Sequence, residues 1–338
     1  GTKGLQSTND LLQVASHYRP DCIVRDRLYR LALSTKNVDQ LQQTATLYPH
    51  LATWLSPSQI IDDCGPITSG DCLGGLRLSN GCKVIHVPSY LQGLWDACVE
   101  ASDGRASWSI EDISTRNPGD HLDIDALSHM RKWKERLAEY DAVVFSAGSG
   151  LFHDSIPGIC AMDLPADLVR GQSIEMTIPR LSDPDEPSSS FHFPNEAILC
   201  GKYMAPLLHD DQLVIGATHE YKAEPLDEPG VVDDLKGRSY SLSPVVWDQG
   251  VIDRITCGYR VQSQRGKYGR MPMIGQIGRN TKNKQMNIVH ENAWMFTGLS
   301  ARGLIHHGIY GELLSEAMME GNDLVLLDQD PDLLWWKR

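Results

Sequence analysis

The spacing of apolar residues changes twice along this chain, and each change predicts a different kind of structure. Between Asp10 and Tyr18 the apolar positions follow a helical period, which Pro20 ends. Arg27–Ser34 reads as a strand and Val38–Tyr48 as a helix. In GGLRLSNGCKVIHV, Ser-Asn-Gly separates two short apolar runs, the signal of a β-hairpin. Leu91, Leu94, Ala97 and Cys98 then share one face of a helix running from Pro88 to Ala101. Ser107–Ser114 predicts a strand and Ile124–Tyr140 a helix. YDAVVFSAGSG (Tyr140–Gly150) predicts a buried strand that runs straight into glycines.

Beyond this point strands dominate. Val169–Ile178, Ala197–Cys200, Leu213–Ala217, Val251–Val261 and Met271–Ile277 are β-rich, with the polar, Pro-rich loop LSDPDEPSSS (Leu181–Ser190) among them. AWMFTG (Ala293–Gly298) is a final strand and Gly303–Glu320 a final helix, stopped by Gly321-Asn322. The order is αβ alternation, a long β-rich insertion, then one strand and one helix. It predicts a two-domain α/β protein whose first domain is discontinuous and interrupted by an antiparallel sheet. No internal repeat is found.

Composition narrows the function. The chain has 338 residues, enough for two domains, with 41% hydrophobic and 22% charged residues. Lys and Arg total 31 against 44 Asp and Glu, a net charge of −13 that disfavours non-specific nucleic-acid binding. RVQSQRGKYGR (Arg260–Arg270) is a local basic stretch. The eight cysteines form no Cys-x-x-Cys and read as buried thiols rather than a zinc site or disulfide framework. No apolar run is long enough to span a membrane. The chain opens Gly-Thr-Lys and reads as a fragment, so a targeting signal is not expected in it and the compartment, cytoplasm or an organelle such as a plastid, stays open.

Three segments carry candidate chemistry. In VVFSAGSGLFHD, Gly148 and Gly150 follow a strand, but His153 holds the third glycine position of a dinucleotide fingerprint and no helical period follows. This is either a plain turn or a close backbone approach to a ligand. In FTGLSARGLIHHG (Phe296–Gly308) a strand passes through a turn into a helix. The unpaired first-turn N–H groups and helix dipole of such a start stabilise negative charge placed over them. The alternative is a core helix capped by Ser300. Arg260, mid-strand in ITCGYRVQSQRGKYGRMPMIG, is either a carboxylate grip or a salt-bridged structural arginine. His306 and His307 point about 100° apart on a helix, which excludes joint metal ligation from it. His192 reads as a packed loop histidine, and Trp335-Trp336 as a tail docked on the surface.

Five blocks in order, YDAVVFSAGSG, LVRGQSIEM, QLVIGATHEY, GYRV…GRMPMIG and FTGLSARGLIHHGIYGELLSEAM, resemble the D-amino-acid-oxidase-like superfamily of FAD-dependent oxidoreductases. VIHVPSYLQGLWDAC (Val84–Cys98) is similar to the segment that introduces the helix before that family's adenine-side strand. The Gly-Leu-Ser-Ala-Arg-Gly-Leu-Ile-His-His run looks like a plant and algal branch. That branch is akin to the oxidoreductase half of the bifunctional wobble-uridine tRNA-modifying enzyme. The family's N-terminal Gly-x-Gly-x-x-Gly unit has no counterpart here, so the chain reads as truncated or as a copy that has lost its cofactor handle.

The resemblance implies a discontinuous Rossmann-like FAD-binding domain lacking its N-terminal βαβ unit, plus an antiparallel-sheet substrate domain. Residues 76–164 and 281–325 would form the first, 1–75 and 165–280 the second, and 326–338 a tail. It implies oxidation of a C–N bond in an amine or amino acid by hydride transfer to flavin, with oxygen or another acceptor taking the electrons. Ala147 and Gly148, with Gly298, Leu299, Ser300, Ala301, Arg302, Gly303 and Leu304, would contact FAD; Ser300 replaces a glycine common in relatives. Arg260 would bind substrate carboxylate, and Tyr203, Tyr259 or Arg302 would line the pocket. Ile110 or Ile113 would be the adenine-side contact, and Gly171 and Gln172 are structural. No residue stands out as general base. The rival readings are a cofactor-free binding subunit and, ranked lower, tRNA modification.

Overall fold

The computed structural model describes residues 2–64, 72–110, 134–152, 164–178, 196–209, 211–221, 224–267, 269–277 and 290–337. In chain order the elements begin with α1 (Thr2–Tyr18), β1 (Ile23–Arg25), β2 (Leu28–Leu31), α2 (Thr35–Leu47) and β3 (Ala52–Leu55). Then come α3 (Pro57–Cys64), β4 (Gly75–Leu78), β5 (Val84–Ile85), α4 (Val87–Ala101), β6 (Val143–Phe145) and β7 (Ala166–Thr177). β8 (Ile198–Leu199), β9 (Tyr203–Pro206), β10 (Gln212–Gly216), α5 (Glu228–Ser239) and α6 (Pro244–Gln249) follow. The last are β11 (Val251–Ser263), β12 (Arg265–Gly266), β13 (Gly269–Arg270), β14 (Met273–Gln276), β15 (Ala293–Thr297), α7 (Gly303–Met319) and α8 (Leu326–Gln329). The mixed α/β class expected from the sequence is the one observed.

Two compact units result. Gly1–Thr8, Ser107–Val169 and Tyr259–Arg338 form one, and Asn9–Ala106 and Arg170–Gly258 the other. Residues 76–106 therefore pack with the large sheet rather than with 107–164, and 259–280 go with the C-terminal segment. Residues 326–338 belong to that unit too, rather than forming a separate tail.

The larger unit is organised by an eight-stranded sheet of order β11-β7-β10-β9-β8-β2-β4-β3. Alternation along β10 buries Leu213 and Ile215, and β7 sends Ile174 and Met176 to the same core. Val231 and Leu235 of α5 and Val246 and Trp247 of α6 cover them. Side-chain caps start the helices: Ser34 accepts from Asn37 N, and Asp227 from Gly230 N at 3.0 Å. The hairpin expected at Ser79–Gly81 does not form. β4 is flanked instead by β2 (Leu76 opposite Arg30) and β3 (Leu76 opposite Trp54), while β5 pairs with β1. Asn80, at φ 50°, donates to His50 O at 2.7 Å and so turns the chain away from β4.

At the start of this unit's second segment lies a buried charge junction. Arg170 and Glu220 form a two-way backbone bridge, and the Arg170 Nε donates to the Glu220 carboxylate at 3.0 Å. Thr218 Oγ1, Gln172 Nε2 and the Leu226 N–H donate to the same carboxylate. Burial alone would raise the Glu220 pKa, but hydrogen bonds from Thr218, Arg170 and Gln172 outweigh it and hold it at about 2.

The other unit holds a three-stranded sheet of order β14-β15-β6, with β15 parallel to β6 and antiparallel to β14. Trp294, Ile274, Leu314 and Ala317 form part of its core, joined by Leu326, Leu333 and Leu334. The C-terminal segment is thus interior material, against the expectation of a surface tail. Trp336 is only 9% exposed and its indole N–H donates to Ile274 O, while Trp335 donates to Pro272 O. Lys337 closes a buried ion pair with Asp323, whose Oδ2 also accepts from Gln276 N at 2.7 Å.

Ser107–Ile110 is not a strand, and the remainder of that prediction lies outside the described residues. Of the helix expected over Ile124–Tyr140, residues 134–140 are described: 134–137 are helical and 138–140 form a turn and bend, so the helix ends short of Tyr140. The loop Leu181–Ser190, Ile113, His153 and His192 also lie outside the described residues. Among the described cysteines Cys22, Cys64 and Cys72 are buried thiols, but Cys98 and Cys257 are exposed. No helix among the described residues is long and apolar enough to cross a membrane.

Candidate functional site

Parallel neighbours end at the same edge of a sheet. Because Val143 pairs with Ala293 and Phe145 with Met295 in parallel, the residues after β6 and after β15 emerge together. Crevices outside the carboxyl ends of parallel strands are where α/β sheets bind ligands. Here Ser146 and Gly148 meet Thr297, Gly298, Leu299 and Ser300 around a cavity of about 520 Å³. Tyr259, Arg260, Val261 and Phe296 complete its wall. A bridge between Gln262 and Leu299 ties the end of β11 to the turn after β15, which brings Tyr259 and Arg260 to this edge.

The backbone at this edge is unusual in two places. Gly148 sits at φ 55°, and a Cβ built there would meet nothing within 4 Å. The absent side chain leaves open space beside the cavity. Gly298, at φ 74°, lies against Met273, whose backbone N would be 3.3 Å from a Cβ. Ser300 takes φ 54° although it is not glycine, so the turn holds a left-handed backbone conformation at this position. Its hydroxyl contacts Gly298 O at 3.3 Å and caps nothing; α7 begins after Arg302 with no side-chain cap. The first-turn N–H groups of α7 are therefore free of side-chain acceptors, against the alternative of a helix capped by Ser300.

Thr297 supplies the polar feature that sequence reasoning missed. It is 4% exposed, its Oγ1 has no hydrogen-bond partner, and it lines the cavity. A buried hydroxyl without a partner costs about 1–3 kcal/mol; of the four such side-chain atoms among the described residues, Glu196 Oε2, Asp234 Oδ2, Ser263 Oγ and Thr297 Oγ1, only that of Thr297 belongs to a residue lining this cavity. The only sequence signal was its position between Phe296 and the turn glycine, since a threonine in a strand otherwise reads as a β-former.

Of the residues singled out from sequence, Gly148, Gly298, Leu299, Ser300, Tyr259 and Arg260 share this cavity. Ala147, Ala301, Arg302, Gly303 and Leu304 do not line it; Ala301, Arg302 and Leu304 are exposed. Tyr203 lies in the other unit, its hydroxyl 3.0 Å from Ser173 Oγ. Ile110 is 87% exposed. His306 packs its ring against Tyr310 and is held below its ordinary pKa by burial, with the Arg302 charge adding to the effect.

The chain thus combines a parallel strand pair edged by glycine turns with a large, mostly antiparallel sheet. Residues 4–317 match the model of the DAO family, FAD dependent oxidoreductases, and the chain belongs to that family. It is similar in fold to glycine oxidase from Geobacillus kaustophilus, at 17% identity and TM-score 0.62, over 94% of this chain and 78% of that one. Glycine oxidase from Bacillus cereus ATCC 14579 aligns at 14% identity and TM-score 0.62, over 97% and 82%. Iminodiacetate oxidase from Chelativorans sp. BNC1 aligns at 16% identity and TM-score 0.61, over 95% and 79%. A comparison with curated proteins gave no match.

Proposed function

We propose that this protein oxidises a C–N bond of a small amine or amino acid, using FAD seated at the β6/β15 edge. The observation that carries the reading is the cavity itself. It joins an unfilled glycine cradle at Gly148, an orphaned hydroxyl on Thr297 and a guanidinium on Arg260. These fit the pyrimidine edge of an isoalloxazine, which offers acceptors to a hydroxyl and needs close backbone approach along its rim. When bound, the flavin supplies a two-electron oxidation at carbon next to nitrogen.

The chain's own residues position the reactants. Thr297 Oγ1 would donate to a flavin oxygen, and the turn at Gly298–Ser300 would hold the ring through its backbone. Arg260 grips a substrate carboxylate through two parallel N–H bonds, fixing the α-carbon. Tyr259 borders the same space and excludes water from one side. Among the described residues that line the cavity there is no carboxylate or histidine to act as general base, so the substrate amine binds deprotonated.

The purified chain is expected to carry yellow flavin absorbance, or to quench flavin fluorescence on addition of FAD. Neither signal would leave the rival reading, a cofactor-free binding subunit. In the loaded enzyme Arg260→Ala should raise KM for a carboxylate-bearing substrate about 10- to 100-fold with little change in kcat. An unchanged KM removes Arg260 from the substrate site.

A further inference from the structure

α7 carries Glu312 and Glu316 at i and i+4, and Glu320, the helical C-cap residue that follows it, continues the row at i+8. Like charges at this spacing repel, and they lie toward the C-terminal, negative end of the helix dipole, where anions are least favoured. Among the described residues no ion pair neutralises them. Between Gly303 and Trp336 the sequence contains neither Lys nor Arg. The helix thus holds three carboxylates in an arrangement that its own stability opposes.

These carboxylates rim an apolar groove of about 570 Å³ between α7 and α8, with Asp328 on the opposite bank. Leu313, Val325 and Leu326 form the floor, continuous with the core of this unit. Met319, also lining the groove, is 89% exposed. An unbranched, polarisable side chain held in water beside an apolar floor suits a surface that repacks around a partner. Glu312 to Glu320 spans about 12 Å, the length of two turns of a partner helix.

We infer that this groove docks a cationic amphipathic helix of a partner protein, its apolar face on Met319 and Leu313 and its Lys or Arg residues against the acidic rim. Charge complementarity selects this occupant: anionic lipid surfaces and nucleic acids are repelled by the same carboxylates. Helix-in-groove recognition uses anchors at the spacing this surface offers.

The test uses the purified chain and a fluorescein-labelled Leu/Lys peptide with one apolar face, followed by fluorescence anisotropy. Saturable binding is expected that weakens as salt rises. Glu312→Lys with Glu316→Lys should weaken it about tenfold or more, and Met319→Asp about tenfold. Glu312→Gln with Glu316→Gln, a milder change that relieves repulsion within α7, should weaken it in the same direction. Asp39→Lys with Asp62→Lys, equal in charge and sited on α2 and α3, should leave it within about twofold. Equal binding of a scrambled peptide of the same composition, equal weakening by the control pair, or no effect of Met319→Asp would each overturn the proposal. So would absence of binding, and so would tighter binding of anionic vesicles than of the peptide.

Discussion

Two short glycine-bearing stretches, Val169-Arg170-Gly171-Gln172 in β7 and Thr297-Gly298-Leu299-Ser300 after β15, end in opposite conditions. At the first, the buried charge is fully engaged: the Glu220 carboxylate accepts from Arg170, Gln172, Thr218 and the Leu226 backbone. At the second, a buried threonine hydroxyl is left without one, beside a cavity and a glycine whose missing side chain faces open space. A saturated polar network fixes a fold; an unsaturated one has bonding capacity to offer a ligand. Satisfaction, rather than motif, separates the structural strand segment from the candidate functional turn.

The comparison can be broken most forcefully at the saturated end. Arg170→Ala leaves the Glu220 carboxylate buried without its countercharge and should cost about 3–5 kcal/mol of stability, read by chemical denaturation. A loss under about 1 kcal/mol would mean the junction is not structural. Acidification probes the same site more gently. Glu220 is held at about 2 in the folded chain against an ordinary 4.5, so its contribution is fully present above about pH 4.5. It is lost as pH falls through the folded value. Glu220→Gln should flatten this acid limb of the stability curve, and an unchanged limb would assign the acid sensitivity to other carboxylates.

The smallest stability change belongs to the unsaturated end. Thr297→Val removes the orphaned hydroxyl while keeping its shape, and should leave the stability of the flavin-free chain unchanged or raised by up to about 1 kcal/mol. The same variant should weaken FAD binding about 5- to 30-fold in a fluorescence titration. Lost stability with intact flavin affinity would reverse the assignment of the two stretches.

Local chemistry made much of this legible in the sequence. The strands at Val143–Phe145 and Ala293–Thr297 and the helix from Gly303 follow from unbroken apolar runs and a glycine stop at Gly321, which adopts φ 63°. Glycines after two strands marked both sides of the cavity. What stayed hidden depends on partners far along the chain. β4 reads as half of a hairpin because only the fold supplies β2 and β3 on its two sides. α1 extends back to Thr2 because Thr8 Oγ1 donates to Leu304 O at 2.7 Å, a bond invisible to local periodicity. Trp335 and Trp336 looked like surface aromatics, since the carbonyls that accept their indole N–H groups lie more than 60 residues upstream. Thr297 could not be called unsatisfied until its surroundings were known.

The interior position of Trp336 sets a timetable for biosynthesis. All segments of the large-sheet unit have left the ribosome soon after Gly258, so that unit can close early. β6, β14 and β15 must wait until Leu333, Leu334 and Trp336 have been polymerised before their apolar faces are sealed. During that interval the nascent chain carries one finished unit and one open one, and this is when it is most exposed to aggregation and most dependent on chaperones.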